Sequence, residues 1–194
     1  MIQELRDFGS RGLYSQEPMP SLERRVLKET NQVILQHSRR SAELSLELYE
    51  AILPAWREYT AELRAKGYHV VDHPNKDGMF IVAAAAILHD IGWYMVSEEE
   101  RMAKHGVAGA KYVVQNLPST GNIQTLTHIA VCVRHHGLED RAPFLTPEGV
   151  AVSDGDKIDF LLTHPRSPLF QEVYAKFLYL DLSRQIVDAK LEVK

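Results

Sequence analysis

Residues 80–92 read FIVAAAAILHDIG, an apolar run that ends on adjacent His89 and Asp90 and then Gly92. A helix of alanines and aliphatics has no face suited to water, so it must lie inside the molecule with other helices around it. Its small side chains allow those neighbours to approach closely. Gly92 is expected to stop the helix. An imidazole and a carboxylate at the end of such a helix are costly to bury without a partner. A divalent metal takes both, through a neutral imidazole nitrogen and a carboxylate oxygen. Candidates to complete the shell lie on both sides of the run: His37 upstream, and His105, His128, His135, His136, Asp154 and Asp156 downstream. The combination points to metal-dependent hydrolysis.

A chain of 194 residues is long enough to bury a core without staples, and its length suits one domain. At 45% hydrophobic and 25% charged, the composition is that of a globular protein. The formal charge of −4 argues against binding nucleic acid by bulk electrostatics. The single cysteine, Cys132, forms no internal disulfide, and within IAVCV it reads as a small core residue. AAAAIL is too short to span a bilayer, and MIQELRDFGSRG lacks the apolar segment of a secretory signal. The expected setting is cytoplasmic, with no membrane partner.

Alternating strand patterns are absent, and the expected fold class is all-α. Residues 1–20, with Gly9, Gly12, Pro18 and Pro20, read as an irregular arm preceding a single domain over 21–194. Ser21 is a candidate N-cap. Apolar spacing from Asn31 to Leu53 suits a long helix, which Pro54 should kink before a second stretch ends at Gly67. Residues 67–78 are rich in turn formers. Ser97 and Glu100 form a capping box for a helix through KHGVAGAKYVVQN. Asn122 or Thr125 opens the next helix, which Gly137 stops. Thr146-Pro147 supplies an N-cap and first position for the helix carrying SDGDKIDF, which Pro165 and Pro168 break. LFQEVYAKFLYLDLSRQIVDAKL then reads as one last helix.

The order His37, His89-Asp90, His105, His135-His136, Asp156 resembles the HD-domain superfamily of metal-dependent phosphohydrolases. The resemblance covers roughly residues 30–160 and is carried by AAILHDIGW, with HSRRSAELSLELYEAIL and DGDKIDF in support. It implies a helical bundle around the His-Asp helix and a first metal site on His37, His89, Asp90 and Asp156. Asp156 is preferred to Asp154 because the family's closing motif places the ligand directly before a basic residue. Asp154 and Asp159 read rather as helix caps or as hydrogen-bond partners of a ligating histidine. In binuclear members a second metal is held by histidines placed like His105 and His135 or His136, with Asp90 bridging. Two ions are preferred here over one, and His135 over His136. The ion is drawn from manganese, iron, cobalt, nickel, magnesium and zinc. His128 reads as a core histidine, and His69, His73 and His164 as solvated, with His73 near enough in sequence to approach the site.

A bound divalent ion lowers the pKa of water and polarises a phosphoryl oxygen. Asp90 or Asp154 is placed to take the proton. Arg39, Arg40, Lys104, Arg134 and Lys157 are candidates to steady a polyanionic substrate, with Lys104 and Lys157 foremost. Adjacent helical positions diverge by about 100°, so not all of them can face one pocket. The expected substrate is a nucleotide or another small phosphate ester or anhydride. No GYP motif follows the second histidine pair, which argues against cyclic-di-GMP cleavage. Two alternatives stand beside hydrolysis: a mixed-valent di-iron oxygenase of the same superfamily, and a metal-bound helical scaffold without turnover. The scaffold would use Phe170, Tyr174, Phe177, Leu178 and Leu180 as its contact surface, and self-association belongs to that reading.

Overall fold

The computed structural model describes residues 19–117, 122–137, 144–164, 172 and 174–192. Among them the fold is all-α, and Val70 and Leu145 make only an isolated parallel bridge. Most of the expected arm lies outside the described residues. Helix α1 (Met19–Glu29) begins two residues before Ser21, which therefore sits inside its first turn rather than capping it. Helix α2 (Gln32–Ile52) is capped by Asn31, whose side chain accepts from the Ile34 N–H at 3.0 Å. Pro54 falls in a single 3₁₀ turn, Leu53–Ala55, that leads into α3 (Trp56–Ala65). Gly67 ends that stretch with φ +86°, the left-handed geometry a glycine adopts without strain.

Helix α4 (Gly78–Leu88) is the alanine-rich run, and Ile81 to Asp90 are all buried. Against it pack α1, α2, α6 (Ile123–Arg134) and α7 (Pro147–Thr163), while α5 (Arg101–Asn116) lies mainly on α6. The chain leaves α4 through consecutive turns over 89–100. Gly92 does not end the helix by a left-handed turn, since Gly67 is the only positive-φ residue among those described. Its role is clearance. A Cβ on Gly92 would sit 2.1 Å from the His105 carbonyl oxygen and 2.5 Å from the Gly109 nitrogen, so glycine lets α5 close against the His-Asp turn.

Two expectations about helix ends fail for tertiary reasons. The capping box at Ser97 does not form: α5 starts at Arg101 behind Glu100, which makes no side-chain cap bond and pairs with Lys104 instead. The expected last helix is broken over 176–180, and α8 (Asp181–Glu192) is only its second part. The break is stabilised from outside the segment, because the buried Asp154 carboxylate accepts the backbone N–H groups of Tyr179 and Leu180. By contrast, Asn122 caps α6 and Thr146 caps α7 through local hydrogen bonds to Gln124 and Gly149. Pro165, Pro168 and Phe170 lie outside the described residues.

Candidate metal centre

His37 comes from α2, His89 and Asp90 from the end of α4, His105 from α5, His136 from just past α6, and Asp156 from α7. Their side chains converge. His37 and His89 meet through Nε2 atoms 3.1 Å apart, and His105 and His136 through Nε2 atoms 2.9 Å apart. Asp90 stands between the pairs. Its Oδ2 is 3.4 Å from His89 and 3.6 Å from His37, while its Oδ1 is 3.4 Å from His105 and 3.6 Å from His136. Asp156 Oδ1 adds contacts of 3.0 Å to His37 and 3.4 Å to His89.

Each imidazole is oriented by what its other nitrogen does. His89, His105 and His136 place Nδ1 2.7, 2.7 and 2.6 Å from the carbonyls of Ala86, Arg101 and Val133. A carbonyl only accepts, so Nδ1 carries the proton and Nε2 of the neutral ring offers a lone pair to the cluster. His37 does the same toward Asp159 at 2.7 Å, and Arg40 in turn grips Asp159 with bonds of 2.8 and 3.0 Å. Four imidazole lone pairs directed at one another at these distances repel unless a cation or a proton sits among them. This donor set fits divalent metal ions. Two groups, His37–His89–Asp156 and His89–Asp90–His136, have ligand atoms all within 4.8 Å of one another.

The electrostatics of the metal-free cluster say the same. Burial opposes charge on His37, yet hydrogen bonds to Asp156 and Asp159 raise it to about 9. Burial likewise opposes charge on His89, and the Asp90 and Asp156 carboxylates still hold it well above its ordinary value. Asp90 and Asp156 are held well below the usual carboxylate range, against burial, chiefly by the charge of His89. Protons thus occupy part of the space that cations would take.

Not every expected residue is brought here. His136 faces the cluster, and His135 does not. His135 lines a cleft of about 520 Å³ on the outer side of α6, together with His128, Val71 and Phe144. His128 approaches Thr146 at 3.0 Å and Glu148 at 3.5 Å, away from the cluster. Asp154 is directed elsewhere: it is fully buried and accepts from Tyr179, Leu180 and the Ser183 hydroxyl. Burial raises its carboxyl despite Lys157 and these donors. Lys157 is buried too, and its ammonium donates to the His136 carbonyl at 2.9 Å and the Ser153 carbonyl at 3.0 Å, so it braces the turn that carries His136. Lys104 is exposed and paired with Glu100, and Arg39 is paired with Glu23. His69, His73 and His164 are exposed, and His73 does not approach the cluster.

Three residues near the cluster were not singled out for it by sequence reading. Trp93 sets its ring edge-on to His105 at 5.1 Å, and the Arg101 guanidinium lies over Trp93 at 5.7 Å. Arg101 was legible in principle, because it precedes His105 by one helical turn. Tyr174 stacks on Phe160 at 4.6 Å and feels the cluster's carboxylates. Burial and those carboxylates raise its hydroxyl to about 12, so it stays a donor. Nothing local in the sequence places Tyr174 there. Tyr174, Phe177 and Leu178 are half-buried and Leu180 is buried, so they form no exposed contact surface.

Comparison with known families matches residues 34–161 to the HD domain. Comparison with curated proteins and with solved structures returned no match. No helix among the described residues is long and apolar enough to cross a membrane.

Proposed function

The chain belongs to the HD-domain family, a superfamily of metal-dependent hydrolases, and from that premise we propose that it hydrolyses a small phosphate ester or anhydride, a nucleotide foremost. The observation that supports this best is the two-sided environment of Asp90, with one carboxylate oxygen toward each histidine pair. Two divalent ions would be held here, one by His37, His89, Asp90 and Asp156 and the other by Asp90, His105 and His136. Such ions, when bound, make water a competent nucleophile near neutral pH and draw electron density from a phosphoryl oxygen.

The chain's own residues do the rest. Asp159 and three backbone carbonyls fix the tautomers, so every ligand nitrogen is ready without reorganisation. Lys157 holds the His136 turn in place. His37 and Asp156, with side chains 18% and 20% exposed, form the solvent side through which substrate arrives. Tyr174 presents a hydroxyl that remains protonated at that side. Asp154, which the sequence offered as a proton acceptor, is turned away from the cluster.

The test is to load the purified chain with manganese, cobalt or iron in turn and screen nucleotides and simple phosphate esters for phosphate release. Turnover that disappears in His89→Ala is expected. No turnover with any metal would overturn hydrolysis, and oxygen uptake by the iron form together with a mixed-valent signal would favour the oxygenase chemistry instead.

A further inference from the structure

The cations nearest the cluster divide into those already engaged and one that is not. Arg39 is held by Glu23, Arg40 by Asp159, Lys104 by Glu100, and Lys157 by the His136 and Ser153 carbonyls. The Arg101 side chain makes no hydrogen bond or ion pair within 4 Å among the described residues, its charge reaches Glu99, and its Nε is buried without an acceptor. Two aromatic rings lie beside its guanidinium. It lies 5.7 Å from the Trp93 ring centroid and 5.1 Å from that of Tyr94. Tyr94 is itself tied down by the Asn31 amide, which donates to its hydroxyl at 2.7 Å.

Arg101 is tied to His105 by two links. The Arg101 carbonyl accepts from His105 Nδ1 at 2.7 Å, and Trp93, on which Arg101 stacks, meets the His105 ring at 5.1 Å. A guanidinium held beside aromatic rings is restricted in its motion, and its planar fork matches a phosphoryl group with two parallel hydrogen bonds. A buried donor with no acceptor is costly, and a bound anion removes that cost. Charge points the same way. Two divalent ions at Asp90 and Asp156 leave net positive charge, and a further cation beside them is tolerable only with an anion between.

We infer that Arg101, held beside Trp93 and Tyr94, grips a dianionic phosphoryl group of the substrate on the His105 side of the cluster. The substrate class is therefore a phosphate monoester or a terminal phosphate rather than a phosphodiester, whose single negative charge would use the guanidinium less. This deepens the phosphohydrolase reading and rests on it for the identity of the ligand.

The experiment uses inorganic phosphate as probe and the manganese-loaded full chain, in wild type, R101Q and R101K. Phosphate affinity is measured by calorimetry, with metal content and melting temperature recorded for each protein. R101Q should bind phosphate about tenfold or more weakly with metal content and melting unchanged, and R101K should lie between. With p-nitrophenyl phosphate R101Q should raise KM more than it lowers kcat, and with bis-p-nitrophenyl phosphate it should change little. Phosphate binding by R101Q within twofold of wild type, or no phosphate binding by wild type, overturns the inference. If R101Q does not fold, R101K decides: an unchanged affinity and KM overturn the inference. Arg101-dependent phosphate binding without turnover of any ester by wild type would sustain the anion site and overturn the hydrolase reading alone.

Discussion

Asp90 concentrates the most consequence in a single side chain. It is 7% exposed, flanked by four imidazoles, and its two oxygens address different pairs. Under the two-ion reading, Asp90→Ala removes a ligand from both ions, and Asp156→Ala from one. Elemental analysis of the purified variants should find Asp90→Ala nearly metal-free and Asp156→Ala retaining the His105–His136 ion. A second expectation concerns pH. His37, raised to about 9 from an ordinary 6.5, contributes stability to the metal-free chain that is complete below about pH 6.5 and lost as pH rises through about 9. Asp90 and Asp156 are depressed, so their contribution is present above the ordinary carboxylate range and lost as pH falls below it. Urea midpoints of the chelator-treated protein should therefore decline from pH 6.5 to 9. Metal binding needs neutral imidazoles, so the manganese-loaded protein should lack that decline.

At the scale of elements, two residues control how helices meet at the site. Gly92→Ala forces a Cβ into the backbone of α5, at 2.1 Å from the His105 carbonyl, so α5 must move and take His105 with it. The variant should lose the ion shared by His105 and His136 while keeping the His37–His89 ion, a change visible as reduced metal per chain. Asp154→Ala tests the opposite role. It leaves the Tyr179 and Leu180 N–H groups and the Ser183 hydroxyl without their acceptor, at about 2–4 kcal/mol in chemical denaturation. Activity per folded molecule should be unaffected. A fall in kcat without loss of stability would return Asp154 to the catalytic machinery. These elements also show what was legible. Thr146 caps its helix as read from sequence, and Asn122 caps the helix that it or Thr125 was expected to open, because a cap is decided by one side chain and an N–H two or three residues on. The capping box at Ser97 and the unbroken last helix were misread because Glu100 and Asp154 make their bonds to partners a local pattern does not contain.

For the whole molecule, a cluster fed by five helices ties stability to its metal. A ligand that binds only the folded state at about a hundred times its dissociation constant adds about 2.7 kcal/mol, or roughly 5–10 °C for a chain of this size. Chelation should lower the melting temperature by that order, and manganese should restore it. An unchanged melting temperature would argue that the imidazoles hold no metal.

The run FIVAAAAILHDIG by itself determined that a helix must be buried, that His89 and Asp90 stand at its end, and that the fold is helical around it, because no other arrangement keeps that much apolar surface from water. The order of histidines and aspartates along the chain determined the family. Which atoms meet was decided by tertiary structure alone. His128 and His135 share a helical face, as their seven-residue spacing requires, but that face is the outer one, and His136 turns inward beyond the last helical residue. Lys157 was turned away from its expected place for the same reason: burial consumed the lysine's donors. Helical periodicity fixes which residues share a face, and only the packing of helix on helix decides what that face looks at.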